Sequence, residues 1–322
     1  MIYMKTIGVL TSGGDAPGMN AAVRAVVRTA ISLGMNVKGI MHGYQGLIDD
    51  EIVDLNARSV SDIINRGGTV LYTARCLEFK TEEGMQKGIA TCKKHGIEGI
   101  VVIGGDGSYR GARDLSERGI PCIGVPATID NDIASTEYTI GFDTAMNTAV
   151  EMIDKIRDTA ASHNRCSVVE VMGHHAGYMA LQIAISVGAV GVLVPELPVD
   201  TDALVAHINK VKETGKSHFI VVVAEGVGHS EELAKKIEAE TGLGSRATIL
   251  GHVQRGGSPT VRDRVRATQM GNTAVHLLSQ GIGNRVVSYK AGKIVNIDIF
   301  EALNMTKTFD DGMIDVAKET AI

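Results

Sequence analysis

Short runs of aliphatic and β-branched residues recur along the chain, each closed by glycine or an acidic turn and followed by polar sequence with apolar positions three and four apart. Residues 7–10, 100–103, 122–125, 168–171, 192–194 and 219–224 read as strands buried on both faces. Residues 21–33 read as a helix, as does the segment in which Ala149, Ile153, Ile156 and Ala160 recur at helical spacing. This alternation predicts the α/β class, with helices covering both faces of a mainly parallel sheet. The longest apolar stretch, residues 179–194, is interrupted by Gln182, Ser186, Gly188 and Gly191 and is shorter than the ~20 residues that span a bilayer. It is expected to form a core helix followed by a buried strand.

A chain of 322 residues exceeds one ordinary core, so two lobes with a cleft between them are expected. No Pro/Ser-rich linker separates them, which predicts crossings within ordered elements. A formal charge of −5, no dense Lys/Arg block and no tryptophan argue against a general nucleic-acid binder. The four cysteines, Cys76, Cys92, Cys122 and Cys166, lack the spacing of a zinc site or a disulfide framework, in keeping with a reducing compartment. After Lys5 only a short apolar strand precedes the first glycine turn, leaving no room for a signal-peptide core, so a cytoplasmic protein without a membrane anchor is expected.

The chemistry concentrates in three turns at predicted strand ends. Thr11-Ser12-Gly13-Gly14-Asp15-Ala16-Pro17-Gly18 opens a helix, Gly104-Gly105-Asp106-Gly107-Ser108 follows the second strand named above, and Pro126-Ala127-Thr128-Ile129-Asp130-Asn131-Asp132 follows the third. Glycines let backbone N–H groups approach phosphate oxygens, and a neighbouring carboxylate can hold the Mg2+ that polyphosphates carry. A second carboxylate can take the proton of an acceptor hydroxyl, so the turns together read as a phosphoryl-transfer site. One such turn alone is a common helix-capping connection. Three at strand ends predict one crevice, because open α/β sheets bind ligands outside the carboxyl ends of their strands. Arg165, Arg246 and Arg255, the last within Gly251-His252-Val253-Gln254-Arg255-Gly256-Gly257, offer planar forks for a phosphate monoester.

These residues, with Asn65-Arg66-Gly67-Gly68-Thr69 and Val169-Glu170-Val171-Met172-Gly173, resemble the bacterial ATP-dependent 6-phosphofructokinase family over essentially the whole chain. The resemblance implies two Rossmann-like lobes with the active site in the cleft between them. Residues 1–140 plus about 253–303 would hold ATP, and 141–252 plus about 304–322 the sugar phosphate. It further implies a homotetramer and Mg2+-dependent transfer of the ATP γ-phosphoryl group to the 1-hydroxyl of fructose 6-phosphate, the committed step of glycolysis.

Carried over by position, the resemblance makes Asp130 the general base, supported by Thr128, Asp132 and Arg75, and Asp106 the Mg2+ ligand. Gly14, Arg75, Cys76, Gly105, Asp106, Gly107 and Ser108 would hold ATP. Thr128, Ile129, Asp130, Met172, Gly173, His174, Glu225, His252, Val253, Gln254 and Arg255 would meet the sugar phosphate, with Arg165 and Arg246 reaching in from a neighbouring subunit. Gly107 points to ATP, since pyrophosphate-using relatives carry an aspartate there. Four positions depart from the family pattern: His174 replaces an arginine, Tyr178 an aspartate, Ala127 a glycine and Cys76 an aromatic residue.

Arg24, Arg28, Arg157 and Lys216 match effector-phosphate positions, whereas Ala57, Val190, Thr214 and Ser217 replace charged ones, so blunted control by ADP or phosphoenolpyruvate is expected. The rings of the consecutive His174 and His175 are expected to diverge, and no metal role is assigned to them. A catalytically weakened regulatory paralogue and an NAD or lipid kinase, which shares the Gly-Gly-Asp-Gly turn, remain as alternatives.

Overall fold

Strands that are apolar on both faces are stable only with both faces covered, and the chain meets this with two helix-covered parallel sheets. The computed structural model describes residues 4–322; the first three positions of the expected ATP-binding lobe lie outside them. The chain divides into two units. One comprises residues up to Ile129 with Ile133–Thr144 and Arg255–Lys307, and the other Asp130–Asp132, Ala145–Gln254 and Thr308–Ile322.

In the first unit, β1 (Thr6–Ser12), α1 (Met19–Ser32), β2 (Asn36–Ile40), α2 (Tyr44–Ile48) and β3 (Ile52–Leu55) lead to α3 (Glu82–Lys94), β4 (Gly99–Gly104), α4 (Asp106–Glu117) and β5 (Cys122–Pro126). The helix α5 (Phe142–Ser162) begins here and carries the chain into the second unit. There follow β6 (Cys166–Val171), α6 (Tyr178–Ser186), β7 (Gly191–Leu193), α7 (Thr201–Glu213), β8 (Phe219–Ala224), α8 (Ser230–Thr241) and β9 (Ser245–Ile249). The chain returns through α9 (Val261–Ser279), β10 (Arg285–Lys290), β11 (Lys293–Asp298) and α10 (Ile299–Asn304) to the first unit, and ends with α11 (Asp311–Thr320) in the second.

The first sheet has the order β11-β10-β5-β4-β1-β2-β3 and is parallel except for its two edge strands. In its centre Ser12 pairs with Gly104, and Gly104 with Pro126, so the three turns leave the sheet from one level. The second sheet, β7-β8-β6-β9, is wholly parallel. Val168, Phe219, Val221 and Val223 from its centre pack on Ile208 and Ile237 of α7 and α8. Residues 179–194 do form a helix and a strand, but β7 is half-exposed and not the buried strand expected. It is an edge strand, paired only with β8. Among the described residues no helix is long and apolar enough to cross a membrane.

A buried carboxylate ties the return of the chain to the segment that follows the third turn. Asp263, in the first turn of α9, is fully buried and accepts from the Tyr138 hydroxyl, from Gly141 N at 2.8 Å and from Thr144 N at 2.9 Å. The Thr144 hydroxyl donates to it as well, and Thr139 Oγ1 in the same segment donates to Thr128 O at 2.7 Å. Burial pushes the Asp263 carboxyl up, while these donors pull it back. Asp263→Ala leaves the donors buried without an acceptor and is expected to cost roughly 3 kcal/mol or more. Urea unfolding checks this: a loss under about 1 kcal/mol would show that water replaces the carboxylate.

Candidate active site

Three adjacent parallel strands deliver the three turns side by side, two of them rich in glycine, and small residues let the turns touch. A Cβ on Gly104 would lie 2.3 Å from Ser12 O and 2.4 Å from Ser108 Oγ, so only glycine fits between the first two turns. Ala127 N donates to Gly104 O at 3.0 Å, joining the second turn to the third. Beside Gly107, in contrast, a Cβ would meet nothing within 4 Å, so the start of α4 is open where a phosphate can approach its N–H groups. Ser108 is buried behind that opening.

Charge is placed around these turns with different degrees of commitment. Asp106 opens α4 and pairs with Arg110 Nη2 at 2.8 Å one turn on, its side chain about half exposed. Arg75 is exposed, and among the described residues it has neither an ion pair nor a hydrogen bond. Arg255 Nη1 donates to Asp15 O at 3.2 Å and lies 2.6 Å from where a Cβ on Gly14 would be, so the glycine makes room for the guanidinium. Cys76 packs against the core around Leu47 and Phe79, and burial pushes its thiol up, making it a neutral apolar contact. Among the described residues no three His, Cys, Asp or Glu side chains gather to hold a metal. A lone carboxylate beside a glycine turn suits a Mg2+ that brings phosphate and water ligands of its own.

The third turn places Ile129 in the core, Thr128 and Asp130 at half exposure and Asp132 at the surface. Asn131 takes a left-handed conformation at φ 50°, tolerable for its short polar side chain.

In the second unit, Met172 and Gly173 follow β6, Glu225 follows β8, and His252 follows β9. Glu225 Oε1 accepts from Gly173 N at 3.2 Å and from His174 N, clamping that turn. His174 is left-handed at φ 56° and exposed, and its ring lies 4.0 Å from that of His175. The expected divergence of the two rings does not occur, because the left-handed residue bends the backbone and swings one ring over the other. The Tyr178 ring lies tilted against Phe309 with centroids 5.5 Å apart; burial and the Glu196 and Asp132 carboxylates push its phenol up.

Gln254, expected to meet the sugar phosphate, has its side chain committed within the protein. It is fully buried, accepting from Met172 N at 2.8 Å and donating to Met179 Sδ at 3.0 Å, so it holds the turn from behind. Val253 and His252 beside it are exposed.

Arg165 and Arg246 lie at the other end of the same sheet. Cys166 pairs with Ser245 at the start of β6 and β9, so both arginines stand about 20 Å from the turn that begins at Met172, the length of a six-residue strand. Arg246 Nη1 pairs with Glu238 at 3.1 Å, and Arg165 has no ion pair among the described residues. Of the expected effector residues, Arg24 and Arg28 sit on α1 without a partner among the described residues. Arg157 donates to Val187 O, and burial together with the nearby Arg157 cation pulls the Lys216 ammonium down.

Asp263 and Gln254 act in ways the sequence pattern did not reveal. Thr260-Val261-Arg262-Asp263 carries a capping signal, and Asp263 N does donate to Thr260 Oγ1 at 3.2 Å, yet the carboxylate turns to partners more than a hundred residues away.

Comparison with known proteins agrees with this architecture. The protein family described as Phosphofructokinase matches residues 6–278. The ATP-dependent 6-phosphofructokinases of Bacillus cereus and Bacillus subtilis are each 57% identical over 319 residues, covering 99% of this chain and 100% of theirs. A phosphofructokinase structure from Saccharomyces cerevisiae aligns with a TM-score of 0.89 at 34% identity over 99% of this chain, which spans 48% of the yeast one. A pyrophosphate-dependent phosphofructokinase from Marinobacter aquaeolei shares the fold, with a TM-score of 0.85 at 21% identity.

Gln254→Leu keeps the volume but removes the buried acceptor of Met172 N, for an expected loss of about 1–3 kcal/mol in urea unfolding. An unchanged unfolding midpoint would show that the turn does not depend on this amide.

Proposed function

The chain belongs to the phosphofructokinase family, and from that membership we propose that it transfers the γ-phosphoryl group of ATP to the 1-hydroxyl of fructose 6-phosphate in glycolysis. The observation that carries the reading is the level start of the three turns, with Ser12, Gly104 and Pro126 in register. Backbone N–H groups at the start of α4 and Gly14 receive the ATP phosphates, and the open space at Gly107 admits the nucleotide's α-phosphate. Asp106 holds the Mg2+ that travels with ATP, which neutralises charge on the phosphate oxygens. Asp130 accepts the proton of the sugar hydroxyl as that oxygen attacks phosphorus in line and ADP leaves. Arg75, uncommitted to any described side chain, stabilises charge developing on the transferred group.

Met172, Gly173 and Glu225, with His252 and Arg255, form the sugar-phosphate side of the proposal. Arg165 and Arg246 belong to it through another subunit, because their end of the sheet is opposite the Met172 turn in their own chain. A homotetramer with shared sites, working in the cytoplasm, satisfies that requirement. Effector control is weak in the same proposal, since Val190 is a buried aliphatic residue that cannot ligand an effector's metal.

A coupled assay with fructose 6-phosphate and ATP tests the activity and separates it from a paralogue that only binds these ligands. Asp130→Asn is expected to lower kcat by about 10²–10⁴-fold with both KM values within a few fold, because an amide cannot take the proton. A near-normal kcat would remove Asp130 as the base.

Arg246→Glu removes an exposed ion pair with Glu238, worth about 0–1 kcal/mol, and a hydrogen bond to Ser245 O, and sets two carboxylates side by side at the surface, so a small loss of stability is expected while the fold holds. The KM for fructose 6-phosphate is expected to rise at least tenfold while that for ATP stays put. A variant with an unchanged KM, or a verified monomer with full activity, would rule out the shared site.

A further inference from the structure

In the second unit, β7, α7, the end of α6 and α11 line an open cavity of about 640 Å3 apart from all the residues placed in the phosphoryl-transfer site. The volume lies within the range of small-molecule pockets, ~300–1,000 Å3. The cavity exists because the elements around it present short side chains: Ala189, Ala203 and Ala317 line it where leucines would narrow it. β7, whose residues are only partly buried, runs along it.

The chemistry of the lining narrows the ligand. The long side chains are saturated, among them Val192, Leu193, Leu204 and Ile314, and none of the lining residues is Phe, Tyr, Trp or Met. Flat ring systems are held by large aromatic faces, and the only aromatic ring in this wall is the imidazole of His207, whereas a flexible alkyl chain needs only apolar area. Three titratable side chains reach the cavity, and two are already engaged. Asp200 Oδ1 caps α7 by accepting from Ala203 N at 2.8 Å, and His207 Nε2 donates to Ala321 O at 2.7 Å. The Lys318 ammonium on α11 has neither an ion pair nor a hydrogen bond among the described residues. An aliphatic interior with one uncommitted cation at its rim matches an alkyl chain that ends in an anion.

We infer that this cavity binds a straight-chain aliphatic carboxylate of medium length, with the alkyl chain against β7 and α7 and the carboxylate at Lys318. Binding there holds α11 against the edge of the sheet, so it also raises the thermal midpoint of the protein.

Calorimetric titration of the full chain with hexanoate, octanoate, decanoate and dodecanoate tests this. Saturable binding of one molecule per chain is expected, tightening about fourfold per added methylene until the cavity is full. Lys318→Met is expected to weaken decanoate about tenfold and leave decanol unchanged. Ala317→Phe and Ala203→Leu fill the cavity from opposite sides and should each abolish binding; two variants are used so that one that fails to fold leaves the other to decide. No saturable binding by any of the four acids, an affinity independent of chain length, or binding retained in a folded, filled variant would overturn the assignment. The same holds if a second copy of the chain covers the cavity and the acids bind only after dissociation.

Discussion

Strand direction is the constraint on which the rest of this structure depends. Parallel pairing sends the carboxyl ends of neighbouring strands to one edge, and every strand of the central β5-β4-β1 group obeys it. The glycine turns therefore need no separate means of convergence: once the strands pair in register, Ser12, Gly104 and Pro126 stand level. The same rule acts in the second sheet with the opposite effect. There it collects Met172, Glu225 and His252 at one end and sends Arg165 and Arg246 to the other. A single geometric rule thus brings most of the expected site residues together within each unit and keeps two arginines out, which is why assembly enters the functional proposal.

Behind the exposed turns stand buried polar groups with their hydrogen bonds filled. Asp263 gathers donors from residues 138–144, and Gln254 supports Met172 from inside the core. Each sits where an unpaired polar atom would be costly, so each restricts its turn to one arrangement. Phosphoryl transfer gains from such rigidity, since its catalysis rests on positioning and charge more than on covalent chemistry.

The departures from the family pattern fall in a locally unusual turn. His174 adopts a left-handed conformation that costs a residue with a Cβ roughly 1–2 kcal/mol, and the Glu225 carboxylate offsets this by accepting two successive N–H groups. The ring then rests on His175, and Tyr178 lies against Phe309. The turn is thus built around rings where the family pattern has an arginine and an aspartate.

Much of this was legible in the residues themselves. Runs of β-branched residues, glycines at their ends and the 3.6-residue period of α1 and α5 depend on neighbours in the chain, so the sequence determined the class of fold, the strands and the turns that carry Asp106 and Asp130. What depends on distant contacts was not legible. Periodicity says that a position is buried but not what covers it, so β7 was expected in the interior although it is an edge beside a cavity. Composition says that Gln254 is polar but not which way it points, and only the tertiary structure turns its amide inward to Met172. The capping signal at Thr260 is local, while the carboxylate of Asp263 is directed by partners more than a hundred residues away that come near only when the chain has folded.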